Sequence, residues 1–422
     1  VLTTRPVRLL FILHGGGIGG ASLSALYLIR QLDPKVYKPV AVFLADSRMR
    51  EIFEENGIQT KIAKGLTYFS HTTGEHVHWK NPRGFLQITG FLPSVYRTRQ
   101  LVKRVNPDIV HLNSSTLMPQ LIGAKLAGAS TVWQIREHIL GGHLGLRRAF
   151  HRWAGRLFAD RMVFILKSEA KRIGAFGKTH VVYNFVDFQM FDRNKRVQWR
   201  RDNPGRKKTV TLLGSVTPIK GVLEFVKAYP IVQKEVGDVR FWIVGPDGKD
   251  VLHRAQDGLL KKLKTRLKGN LAYVKQVHEY VAKHCNGGVV FLGVSEDVPG
   301  ILAQTDVVAF PSTAPHFARP VIEAGAMGIP VVASDIEGPD ELVVHGKTGF
   351  LCQPGDHQAL AEALVQLLRD SELADQMGQK GWERAKAIFE AKKNSDAMVK
   401  IYEELTAETK RPQRCEKENG TC

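Results

Sequence analysis

The chain has 422 residues, 43% hydrophobic and 24% charged, with 39 Gly, 19 Pro and a formal charge of +19. That length predicts two domains of roughly 200 residues each, and the composition excludes a disordered or collagen-like polymer. No apolar run approaches the ~20 residues that cross a bilayer, residues 1–6 lack a signal-peptide pattern, and four cysteines without C-x-x-C spacing predict a reduced, cytoplasmic protein.

Residues 8–13 form an apolar strand running into His14-Gly-Gly-Gly-Ile-Gly19-Gly20 and then an amphipathic helix over 21–32. A strand at 40–44, a helix at 49–56 and a helix ending near Val105 follow. Strands at 109–112, 131–135, 162–165 and 181–184, with a helix at 117–126, complete a first doubly wound half. His111 falls inside a buried strand and reads as structural. Residues 192–208 are charged and without periodicity, the best linker candidate. Alternation resumes with strands at 209–213, 240–244, 289–292, 307–310 and 330–333 and helices at 222–236 and 321–327. The tail from about 371 to 408 is helical, and the basic stretch 246–288, with a basic amphipathic helix over 253–268, exceeds what a strand–helix–strand link needs. The map is therefore a first α/β domain over 1–191, a linker over 192–208, a second over 209–385, a C-terminal helix over 386–408 and a polar tail over 409–422.

Residues 317–356 carry the densest signal. Phe317-Ala318-Arg319-Pro-Val-Ile-Glu323 leads into Gly328, Pro330 and a short apolar strand, placing one carboxylate at the end where open α/β sheets hold ligands. Two further groups sit at strand ends: the Gly19–Gly20 loop, whose backbone approaches an oxyanion without a side chain in the way, and Lys220-Gly221 at the start of a helix. The chain contains no Asp-x-Asp motif, so a carboxylate-held metal is disfavoured. A leaving diphosphate would instead be met by fixed positive charge and helix N-termini.

These residues resemble the GT-B glycosyltransferases, in particular the retaining family 4. Gly19-Gly20-Ala21 resembles its glycine loop, Asp108-Ile-Val-His111 its buried strand, and Asn184-Phe-Val-Asp187 with Phe191 the end of its first domain. Gly214, Ser215 and Lys220-Gly221 resemble its phosphate motif and Phe291-Leu-Gly293 the strand beside the base. Asp306, Pro311-Ser312, Glu323, Gly328-Ile-Pro330 and Pro339-Asp-Glu341 resemble its donor region. The resemblance implies two facing Rossmann-like domains with a C-terminal helix crossing back to the first. It implies a metal-independent transfer, with retention, from a UDP- or GDP-linked sugar to a glycan or lipid-linked acceptor of a cell envelope, with no resident cofactor. Glu323 would accept from ribose hydroxyls, Lys220 and the Gly19–Gly20 amides would meet the diphosphate, and Gly214, Ser215, Gly293 and His316–Arg319 would line the donor site. Two departures stand out. Eight residues before Glu323, where the family has a carboxylate, the chain has Pro315, followed by His316; and Ser215 replaces the usual arginine. They motivate a rival reading, a degenerate module that binds nucleotide or glycan without turnover.

On the acceptor side, Arg136-Glu137-His138 follows a strand; His138 and Glu137 either contact the acceptor, or Arg136 and Glu137 form a structural ion pair. Leu146, Ala149, Phe150, Trp153 and Leu157 repeat at helical spacing among Arg147, Arg148, Arg152 and Arg156. That helix either packs on the sheet or lies on an anionic membrane at the inner face. With no zinc-ligand spacing or aromatic RNA signature beside the charge, nucleic acid is not an expected partner.

Overall fold

The computed structural model describes residues 5–14, 20–70, 82–174, 176–248 and 267–410. It divides into two compact units, residues 1–184 with 391–422 and residues 185–390.

The first unit is built on seven parallel strands, β1 (Val7–Leu13), β2 (Tyr37–Phe43), β3 (Gln59–Ile62), β4 (Ile109–Leu112), β5 (Ser130–Ile135), β6 (Arg161–Phe164) and β7 (Thr179–Val181), in the order 3-2-1-4-5-6-7. Helices cover the central strands, and Leu10, Ile12, Val110, Leu112, Trp133 and Phe164 form part of its core. Four consecutive buried residues in β4 are what a parallel strand covered on both faces requires. The second unit carries six parallel strands, β8 (Lys208–Leu213), β9 (Val239–Val244), β10 (Val289–Gly293), β11 (Val307–Phe310), β12 (Val331–Ser334) and β13 (Gly349–Cys352), in the order 10-9-8-11-12-13. Strand order reverses between β1 and β4 in one unit and between β8 and β11 in the other. These are the crevices where such sheets hold ligands.

The C-terminal helix Ala391–Lys410 belongs to the first unit, where it packs on the helix Gly20–Gln31 and on β4. It buries Met398, Ile401, Tyr402 and Leu405. The Tyr402 hydroxyl lies 2.8 Å from His111 Nδ1, and His111 Nε2 lies 2.9 Å from Gln134 Oε1. The amide oxygen only accepts, so Nε2 carries the hydrogen and Nδ1 accepts from Tyr402. Burial, then Arg136, pushes His111 down to about 3, so the imidazole is neutral and structural as expected.

The structure corrects the sequence map in four places. Residues 192–208 are not a linker: Arg193–Asp202 is a helix of the second unit, capped by the Asp192 side chain on the Asn194 N–H at 2.9 Å. Arg196 on it is buried. Arg196 donates to the carbonyls of Thr305 and Gly328, and Arg200 and Arg206 converge on Asp306, which also accepts the Thr209 N–H. The units divide after Asn184, not after 191, and the last strand of the first half ends at Val181, before the expected 184. The helical tail breaks at Glu390, whose extended backbone (φ −64°, ψ 136°) pairs with Val186, so the returning helix starts at 391 instead of 386. Finally, two short edge strands, β3 and β13, were not expected, and the helix inside the basic stretch spans Leu267–His284, whereas most of the helix expected over 253–268 lies outside the described residues.

Candidate functional site

In the second unit, the carboxyl ends of β8 and β11 bring Lys220 and the segment 311–323 together. Gly221 closes the turn after Lys220 in the left-handed region (φ 64°), where a Cβ would lie 1.7 Å from the Pro311 carbonyl oxygen. Only glycine lets the two loops approach this closely. The Lys220 stem runs over Gly214, where a Cβ would meet its Cγ and Cδ at 3.2 Å. Its ammonium sits 2.7 Å from His316 Nε2 and 5.3 Å from the centre of the Phe310 ring. Burial pulls Lys220 down to about 8.

Glu323 lies on the helix Arg319–Ala326, which follows the loop after β11. Glu323 is 7% exposed, and burial raises it to about 7 against the opposing pull of Arg319. Arg319 Nη1 stands 3.6 Å from Glu323 Oε1 and 3.5 Å from the Phe185 carbonyl oxygen. The carboxylate is thus desolvated before any ligand arrives, and hydroxyl donors would favour its charged form. Ala318 is buried at the N-cap of that helix, Phe317 half-buried before it. Ser215 is half-exposed beyond β8, and Gly293 closes β10 with φ 72° and its carbonyl 2.7 Å from the Gly245 N–H.

In the first unit, Gly20 opens the helix Gly20–Gln31 after β1, while Gly19 lies outside the described residues. Arg136 and Glu137 do not pair among the described contacts. The Arg136 guanidinium donates to the amide oxygens of Asn113, Gln134 and Asn184, at 2.7, 2.7 and 2.5 Å. Glu137 accepts from the Ser114 hydroxyl at 2.7 Å and the Ser115 N–H at 2.9 Å, holding the turn after β4. His138 faces Arg172, whose guanidinium lies 2.6 and 2.8 Å from the two ring nitrogens. Burial, then Arg172 and Arg148, pushes His138 down to about 4, so at neutral pH it is an uncharged hydrogen-bonding group.

Two family models tile the chain: "Glycosyltransferase Family 4" over residues 18–189 and "Glycosyl transferases group 1" over residues 194–384. The chain belongs to this group 1, family 4 type of glycosyltransferases. Among its relatives, the N-acetyl-alpha-D-glucosaminyl L-malate synthase of Bacillus anthracis is 25% identical over 324 residues, 74% of this chain and 78% of that protein. The capsular polysaccharide biosynthesis glycosyltransferase CapM of Staphylococcus aureus is 22% identical over 56% of this chain and 55% of its own. The fold matches Anabaena HepE, solved in complex with UDP, with TM-score 0.73 and 21% identity over 94% of this chain and all of that one. It also matches the sucrose-phosphate synthase of Thermosynechococcus elongatus, with TM-score 0.69 and 19% identity over 95% of this chain and 100% of that one.

For a glycosyltransferase of this type, the informative differences are at Pro315 and Ser215. Next to Pro315, the structure places His316 against Lys220. Both residues stand out in the sequence but their contact does not, since 96 positions separate them and the β8–β11 pairing brings them together.

Proposed function

We propose that this glycosyltransferase binds a nucleoside-diphosphate sugar on its second unit and transfers the sugar with retention, without a metal. The observation that carries this reading is that the ends of β8 and β11 hold a half-buried cation, Lys220, against His316, and that the helix after β11 carries a buried carboxylate raised to about 7, Glu323. Glu323 accepts two ribose hydroxyls, and Lys220 meets the diphosphate as it departs. Fixed charge in a dry crevice stabilises a leaving anion without reorganisation. Gly214, Gly293 and the segment Phe317–Arg319 line the donor, and the N-terminal amides of the helix beginning at Gly20 suit an anion. UDP is the first nucleotide to test, on the support of HepE, and GDP the second. The names of CapM and of a Rhizobium lipopolysaccharide core glycosyltransferase support a cell-envelope glycan or lipid-linked sugar as acceptor. Glu137 and His138 are its candidate contacts on the first unit. Release of UDP or GDP from a nucleotide-sugar panel, with Lys220→Ala as control, tests the reading.

We also propose reversible attachment to an anionic membrane through the first unit. No helix among the described residues is long and apolar enough to cross a bilayer. The helix Leu146–Phe158 contacts the sheet by a narrow stripe, His151, Ala154 and Gly155; a Cβ on Gly155 would lie 2.1 Å from the Met162 sulfur. Leu146, Phe150, Trp153 and Leu157 therefore face outward, with Phe150 and Trp153 stacked at 5.6 Å. The reading of this face as sheet-packed is corrected: its large side chains are exposed. The helix Phe91–Val105 exposes Leu92 and Tyr96, and both helices pack on Met118–Leu126. Neither contains an Asp or Glu, and together they hold eight Arg and Lys. Exposed apolar residues on helices that carry cations and no acidic residue suit anionic headgroups.

A further inference from the structure

His316 occupies the stretch where the family pattern is broken, and its hydrogen bonds fix which ring nitrogen carries the proton. Nδ1 lies 2.8 Å from the Ala314 carbonyl oxygen and 3.1 Å from the Ser312 hydroxyl. The Ser312 hydroxyl has carbonyl acceptors of its own, Ile219 at 2.8 Å and Ala314 at 2.9 Å. A carbonyl only accepts, so Nδ1 bears the hydrogen and Nε2 presents a bare lone pair. That lone pair is 2.7 Å from Lys220 Nζ, and an ammonium only donates.

The ring itself is held. It packs on Phe310 with centroids 5.2 Å apart, and the same Phe310 face lies 5.3 Å from the Lys220 ammonium. Behind it, Gly338 (φ 110°) comes so near that a Cβ would lie 2.2 Å from the His316 carbonyl oxygen. A four-carbon lysine stem has several rotamers to lose, and each fixed contact removes some of that freedom before a ligand binds.

We propose that His316 is a positioning residue for Lys220: its Ala314-fixed tautomer offers Nε2 as the acceptor that holds the ammonium aimed at the donor diphosphate. This inference rests on the donor reading above. It accounts for the broken pattern at both ends. With Ser215 in place of an arginine, Lys220 is the one cation at the phosphate motif's positions, so its aim matters more; and the residue after Pro315 supplies that aim. A neutral acceptor also favours the charged form of a lysine that burial otherwise pulls down to about 8.

The test is a double-mutant cycle read by calorimetry with UDP, and GDP if UDP is not bound. His316→Phe keeps a ring against Phe310 and removes the Nε2 acceptor together with the Nδ1–H bond to Ala314. His316→Gln restores an acceptor through its amide oxygen. We expect His316→Phe to weaken nucleotide binding about tenfold and His316→Gln to stay within about threefold of wild type, hydrogen bonds to charged groups being the strong class. In a Lys220→Ala background, His316→Phe should change affinity less than about twofold, because the group it positions is gone. A His316→Phe loss that persists undiminished without Lys220 overturns the proposal and makes His316 a direct donor contact; wild-type affinity in His316→Phe overturns it as well. Wild-type protein that binds neither nucleotide refutes the donor reading itself and the inference with it, an outcome distinct from additive variants.

Discussion

Glu323→Gln separates two consequences of burying this carboxylate. Burial raises Glu323 from 4.5 to about 7, so between those values the folded chain keeps a proton that the unfolded chain has released. The stability it contributes is therefore complete below about pH 4.5 and is lost as pH rises through about 7. At about 1.4 kcal/mol per tenfold change in proton affinity, that gap amounts to about 3 kcal/mol in the ligand-free protein. Gln has no charge to desolvate. The stability of the variant relative to wild type should thus rise by about 3 kcal/mol between roughly pH 4.5 and pH 8. Nucleotide binding runs the other way. Ribose hydroxyls donate to the charged form at about 1.5–3 kcal/mol per bond, so wild-type affinity should grow as pH rises through about 7. The variant should bind at least about tenfold more weakly near pH 8, with a flat pH profile. Urea unfolding and calorimetry with UDP, each at acidic and mildly alkaline pH, read both effects. Parallel pH profiles of stability in the two proteins would refute the desolvation; unchanged affinity near pH 8 would remove Glu323 from the site.

Turnover should persist in EDTA, because Lys220 supplies the charge that faces the diphosphate. Complete loss restored by Mg²⁺ or Mn²⁺ would contradict that assignment. Lys220→Ala should lower kcat strongly, by about a hundredfold if it acts like other preorganised donors at a leaving anion; wild-type turnover would exclude it. The protein should co-sediment with phosphatidylglycerol vesicles at low salt, much less with phosphatidylcholine, and detach as salt rises. Phe150→Ala with Trp153→Ala should weaken the association at least about fivefold, since each aromatic carries part of the apolar contact; no binding to anionic vesicles even at low salt would refute the membrane face. Tyr402→Phe should destabilise the first unit by about 1–2 kcal/mol, because it leaves His111 Nδ1 buried without its donor. A shift in the urea midpoint checks this, and an unchanged midpoint would show that the Tyr402–His111 hydrogen bond contributes nothing.

Alternating strands and helices were legible because parallel strands buried on both faces read as apolar runs, as in 109–112, 307–310 and 331–333. The edge strands were not. In β3, Gln-Thr-Lys-Ile is mostly exposed, so nothing in its composition separates it from a loop. The helix Arg193–Asp202 was hidden because its inward groups are arginines bound to carbonyls and to Asp306, which a hydrophobic period does not register. The helix Leu146–Phe158 misled in the opposite sense. Its large apolar residues suggested a buried face, whereas close approach to β6 selects Ala154 and Gly155. In the candidate site, Glu323 and Lys220 were readable from strand-end position. The His316–Lys220 contact, the Glu137 turn and the Arg136 amide cluster depend on which strands are neighbours, and local sequence does not carry that information.

Whether the β8–β11 crevice binds and activates a nucleotide sugar is read by the release of nucleoside diphosphate from a panel of UDP- and GDP-sugars by wild type, Lys220→Ala and Glu323→Gln. Wild type should release nucleoside diphosphate steadily from at least one donor, with kcat depressed in Lys220→Ala and KM raised in Glu323→Gln. Tight nucleotide binding with no release from any donor, in the presence or absence of candidate acceptor glycans, would contradict it and leave a binding module in a glycosyltransferase fold.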